Sequence, residues 1–154
     1  MRRTVPSVVA FLWLTACGGE SAQKAPQGPT RADSVAIATQ QFDMAAFDTI
    51  HWKTPQEAID RGNTVFRISC SKCHGNSGQG NGGFVYQGDT LRPPSFLAED
   101  WRYANDPEGL RRKIFTGNEA GMPYWGLVGL RYRDIDAVAT FITEFLRKNY
   151  TDGS

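Results

Sequence analysis

Cysteine is scarce in this chain, with three in 154 residues. That is too few for a disulfide scaffold, and the spacing is uneven: two lie three apart, and the third stands alone near the N-terminus. A surplus of positive charge is also missing. Lys and Arg number 17 against 16 Asp and Glu, for a net charge of +1, which argues against a basic nucleic-acid binder. A run of about 20 apolar residues, as a membrane-spanning helix needs, does not occur. Neither does a convincing alternating strand. Histidine and methionine are sparse, at two and three, so each one carries weight as a candidate ligand. What is present is 40% hydrophobic residues and 21% charged ones, enough to pack one domain of ordinary size.

The N-terminus has an export pattern. Arg2 and Arg3 precede the short apolar run Val8 to Leu14, which ends in small residues. Leu14-Thr15-Ala16-Cys17 resembles a bacterial lipobox, in which cleavage precedes the Cys and the Cys carries lipid. Two or more acyl chains on Cys17 would anchor the protein stably. Residues 1–16 are then a lipoprotein signal peptide, and their removal with Arg2 and Arg3 turns the charge balance slightly negative. Residues 17–52 are expected to be a lipid-anchored flexible linker and an N-terminal arm. From Gly18 to about Gln40 the composition is small and polar, and a coil of that length spans about 30 Å. Phe42, Met44, Phe47, Ile50 and Trp52 are expected to pack as the arm on the domain that follows, residues 53–154.

Within that domain, Thr54-Pro55-Gln56-Glu57 is a helix start leading to Cys70. Asp106-Pro107-Glu108 starts a second helix that stops at Gly117. A third runs from about Tyr132 to Lys148, with Ile135, Val138, Ala139, Ile142, Phe145 and Leu146 on one face. Between them the chain is rich in glycine from Gly75 to Gly88 and closes on Pro93-Pro94. The expected class is small all-α with long loops. Loops of that length in so small a domain need something to bury them, which points to a large prosthetic group.

Cys70-Ser71-Lys72-Cys73-His74 is C-x-x-C-H, the signature of c-type haem attachment. At a helix end, residues i and i+3 face one side, so two thiols can reach the two vinyl groups along one haem edge while the next residue aims its imidazole at the iron. A thioredoxin-like C-x-x-C would want a βαβ setting, and a zinc site would have only His51 as a natural fourth ligand. For the second axial position the candidates are Met122, His51 and Met44. Met122 sits in Gly121-Met122-Pro123, where an extended, glycine-permitted segment can cross a haem face. His51 is expected on the surface and Met44 in packing.

On these residues the stretch 55–150 resembles a class I (His/Met) monohaem cytochrome c. Gly62, Phe66 and Cys70 resemble its first helix, with Gly62 allowing a close crossing by the last. Asp134 to Ile142 resembles that last helix, with Phe141 at the crossing. The resemblance implies a small cytochrome c fold around one haem c held through Cys70 and Cys73, with His74 and Met122 as axial ligands. It also implies that a proline carbonyl, Pro94 or else Pro93, accepts the His74 N–H. Arg131 departs from the usual Ser or Thr cap before the last helix. Trp101, Tyr103 and Arg92 are candidates for contact with the propionates, and Trp125 for shielding the Met side. Arg111-Arg112-Lys113 reads as a solvated face.

The expected function is one-electron transfer in a respiratory or photosynthetic chain, as a tethered carrier or as the haem subunit of a membrane complex. The protein would not be an enzyme by itself. The expected partners are redox proteins or a membrane oxidoreductase complex, with no nucleic acid and no small-molecule substrate. The expected location is the periplasm or the outer side of the cytoplasmic membrane. A haem peroxidase or gas sensor, with a labile axial site, is the alternative.

Overall fold

The computed structural model describes residues 28–151. The signal segment and Cys17 lie outside the described residues. Helices dominate: α1 (Arg31–Gln41), α2 (Pro55–Ser69), α3 (Ser71–His74), α4 (Pro107–Thr116), α5 (Trp125–Val128), α6 (Tyr132–Thr140) and α7 (Arg147–Thr151). A π-helical turn, Phe141–Leu146, joins α6 to α7, and a 3₁₀ turn covers Met44–Phe47. A two-residue hairpin pairs β1 (Val85–Tyr86) with β2 (Asp89–Thr90), a small strand element that the sequence pattern does not suggest. Its turn places Gln87 at φ 52° and Gly88 at φ 91°, the left-handed pair that a tight hairpin demands.

The helix starts follow from local chemistry. Thr54 Oγ1 accepts the Glu57 N–H at 3.2 Å, while the Glu57 carboxylate reaches back to the Lys53 N–H at 2.9 Å. Asp106 Oδ1 accepts the Gly109 N–H at 2.8 Å. Arg131 has no side-chain oxygen to cap α6, yet its main-chain carbonyl accepts from Asp134 and Ile135, and the helix begins at Tyr132.

The core is the crossing of α2 and α6. Val65 and Phe66 pack with Ile135, Val138, Phe141, Ile142 and Leu146. A Cβ on Gly62 would collide with the Ala137 carbonyl and with Cβ of Phe141, so glycine permits the close crossing, as the resemblance implies. Two buried carboxylates on α6 fasten the surrounding elements. Asp134 Oδ1 accepts from Arg61 Nε and Nη2 on α2, at 2.9 and 2.6 Å. Asp136 takes Arg111 of α4 at 2.7 Å on one oxygen and the Trp52 indole N–H at 2.7 Å on the other.

Besides the hairpin, three features depart from what the sequence leads one to expect. The linker expected as coil up to Gln40 forms helix α1 from Arg31, started by a capping box between Thr30 and Asp33. Ser34 and Ala38 are its buried residues and let it lie close on α4. Phe145, expected on the buried face, is 39% exposed. The π turn widens the helix there, and Phe145 stacks on Phe141 at 5.4 Å instead of entering the core. The basic run Arg111-Arg112-Lys113 is not simply solvated. Arg111 pairs with Asp136, Arg112 lies over the Phe42 ring at 4.7 Å, and Lys113 donates to the Gly117 carbonyl at 3.1 Å. The apolar residues before the domain lie on it: Phe42 meets Phe115 edge-on at 5.4 Å, and Phe47 meets Tyr132 at 5.0 Å.

Candidate functional site

Helix α2 ends at Ser69, and the Cys70 carbonyl then accepts the N–H groups of Cys73 and His74, at 3.1 and 3.0 Å. The single turn α3 that follows carries Cys73 and His74. The glycine-rich loop folds back over this turn. Gly80 N–H bonds the His74 carbonyl at 2.8 Å, and Gly82 N–H bonds the Cys73 carbonyl at 3.2 Å. Gly82 has no room for a Cβ against the Lys72 and Ser71 carbonyls. The glycines therefore hold the C-x-x-C-H turn by main-chain contact that no larger residue would allow.

Cys70, Cys73, His74 and Met122 line one cavity of about 580 Å³, within the ~300–1,000 Å³ typical of cofactor sites. Apolar groups dominate the wall, among them Leu91, Phe96, Trp101, Leu110, Ile114 and Ile142. Burial pushes the Cys70 thiol up to about 12 and, second, the neighbouring Cys73 adds to it. Cys73 is raised as well, chiefly by burial. Burial also depresses His74 to about 4, so its ring is neutral at physiological pH, the form that donates a lone pair to a metal. The ring stacks on Phe96 at 4.5 Å. Its Nδ1 is buried without a hydrogen-bond partner among the described residues. The expected bond from His74 to Pro94 is therefore not formed, although Pro93 and Pro94 both line the same cavity.

Met122 is half-buried and firmly bracketed. Its N–H donates to Asn118 Oδ1 at 3.0 Å, and its carbonyl accepts the Asn118 N–H at 3.1 Å. Gly117 sits at φ 63°, and a Cβ there would strike the Met122 and Pro123 carbonyls. Trp101, Tyr103, Trp125 and Arg92 also line the cavity. The other two ligand candidates do not. His51 is exposed, and its carbonyl accepts from Arg133 at 3.1 Å, while Met44 packs against the core. Among the described residues, no group of three or more His, Cys, Asp or Glu side chains could hold a metal ion, so the zinc reading finds no ligand set there. Arg102, Lys113 and Asn118 line the cavity too. Motif reasoning does not pick them out, although an Asn four residues before the Met of a Gly-Met-Pro turn is a recognisable loop brace.

A flat, largely apolar group fits this arrangement: two adjacent thiols, a neutral buried imidazole with an unused nitrogen, and a thioether all open on one apolar cavity. Haem c meets each of these demands.

Residues 57–142 match the family described as cytochrome c oxidase, cbb3-type, subunit III. The cbb3-type cytochrome c oxidase subunit CcoP of Azospirillum brasilense is 31% identical over 72 residues, covering 47% of this chain and 23% of the relative. The chain thus spans about a quarter of that relative's length. No solved structure is a significant match.

Proposed function

Because the chain belongs to the cbb3-type cytochrome c oxidase subunit III family and binds haem c covalently, we propose that it is an electron-transfer protein attached to a membrane and serving a membrane oxidoreductase complex. The relative named above is a subunit of a cytochrome c oxidase, which supports a haem-bearing subunit or tethered donor over an enzyme acting alone. One observation carries the reading: His74 and Met122, far apart in sequence, line the same apolar cavity as the two cysteines.

When bound, the haem supplies reversible one-electron Fe(III)/Fe(II) chemistry. The chain does the rest. Cys70 and Cys73 attach the group, and the stiff C-x-x-C-H turn sets the direction of His74. His74 and Met122, which line the same cavity, would both ligate the iron and so would leave it no site for substrate. The soft, neutral thioether favours the reduced state. Phe96, Leu110, Ile114 and Ile142 exclude water, which limits solvent reorganisation during transfer. Pro93 and Pro94 border the cavity; a bond from the His74 N–H to either carbonyl would raise the ring's basicity, but neither proline is bonded to it here. The membrane link is Cys17, outside the described residues. Among the described residues, no helix is long and apolar enough to cross a membrane.

Replacing Met122 with Ala tests the axial assignment. The ferric protein should lose its weak far-red charge-transfer band, its potential should fall, and the ferrous form should gain strong carbon monoxide binding. His51→Ala and Met44→Ala should change none of these. A parent protein that already binds carbon monoxide strongly would overturn the two-ligand reading in favour of a sensor or peroxidase. Mass spectrometry of the mature protein tests the anchor: an acylated N-terminal Cys17 is expected, and an unmodified start at another residue refutes it.

A further inference from the structure

The N-terminal helix reaches the loop that carries Met122. Arg31, the first residue of α1, donates from Nε to the Asn118 main-chain carbonyl at 3.0 Å and from Nη1 to the Tyr86 hydroxyl at 3.1 Å. The guanidinium also lies over the Tyr86 ring, 5.0 Å from its centroid. Asn118 in turn is the residue that brackets Met122 through both of its main-chain polar groups. A single side chain therefore ties three segments together: the start of the arm, the hairpin, and the ligand loop. The fork of Arg31 suits this because its donors are held in one plane at fixed spacing, which a lysine cannot reproduce. Its Nη2 is buried, so the contacts are made in a partly dry setting where hydrogen bonds count for more.

We propose that Arg31 is a positioning residue for Met122, holding the ligand loop in its closed form through the Asn118 carbonyl. The inference rests on Met122 being the axial ligand. Loss of the clamp frees Asn118 to shift, and the Met122 sulfur then competes less well with outside ligands. The clamp does not touch the α2–α6 core, so its effect separates from general stability.

The test uses the full-length holoprotein. Arg31→Ala should raise carbon monoxide affinity of the ferrous form about fivefold, the equivalent of one ordinary hydrogen bond. It should also speed hydrogen exchange at the Met122 amide. Arg31→Lys should restore little of the clamp, and Tyr86→Phe should give an intermediate effect. Arg61→Ala, which breaks the Asp134 pair on another part of the fold, should lower stability and leave carbon monoxide affinity unchanged. If Arg31→Ala and Arg61→Ala raise the affinity equally, the effect is general loosening and the clamp is overturned. It is overturned as well if Arg31→Ala leaves both affinity and exchange at the parental values while Met122→Ala abolishes the far-red band. If the band survives in Met122→Ala, the ligand reading itself fails, and the positioning role falls with it.

Discussion

Asp134 shows how one residue can report on the whole fold. Burial pushes its carboxyl up, but hydrogen bonds from Arg61 and Arg131 outweigh that and leave it below its ordinary value of 3.8. A depressed acid contributes stability that is present above the unfolded value and is lost as pH falls through the folded one. Acid unfolding of the parent should therefore contain a component beginning near pH 3.8 and deepening below it. Asp134→Asn should remove that component and cost about 1–2 kcal/mol at neutral pH, the lower part of the range for charged hydrogen bonds because Arg61 is 44% exposed. Urea titrations at several pH values would check both. The C-x-x-C-H residues are legible in the sequence for a related reason, since spacing on one helical turn decides which side chains share a face. That His74 Nδ1 stays without a hydrogen-bond partner among the described residues is not legible, because main-chain placement leaves no trace in side-chain identity.

Among elements, the α2–α6 crossing depends on the missing side chain at residue 62. Gly62→Ala would force a methyl into the Ala137 carbonyl and Phe141, neither of which can swing away as a flexible chain end could. A loss of at least ~2 kcal/mol is expected, seen as a lower urea midpoint with an unchanged slope. Helices whose starts are written in local capping chemistry, at Thr54-Pro55 and Asp106-Pro107, are readable from the residues alone. Helix α1 is harder to read because Ser34 and Ala38 bury little apolar area, and composition cannot tell such a helix from a linker. Thr30 and Asp33, spaced as a capping box, are the one local signal of it. Phe145 leaves the expected face because a straight 3.6-residue period does not continue through a turn that the protein winds more loosely.

For the molecule as a whole, the arm is part of the fold. Phe47 is buried in the core cluster, Phe42 and Trp52 contact α4 and α6, and Asp136 is shared between arm and helix. A chain beginning at Lys53 would retain every proposed haem contact but expose these surfaces. Its melting temperature should fall by about 10 °C or more, as expected for the loss of a few kcal/mol from a domain of some hundred residues. Scanning calorimetry of the two holoproteins would measure it, and equal melting temperatures would show the arm to be an ornament.

Folding of α1 also sets how far the haem domain can range from the proposed anchor. From Cys17 to Gly28 a chain can stretch at most about 40 Å, roughly half the limit that applies if everything up to Gln40 is slack. For a slack tether the effective concentration of the domain at a neighbouring complex varies roughly as the −3/2 power of length, so halving the length raises it about threefold. In a protein anchored at Cys17 the capping box at Thr30 would thus act on kinetics: by ordering eleven residues, it would shorten the tether and narrow the search near the membrane.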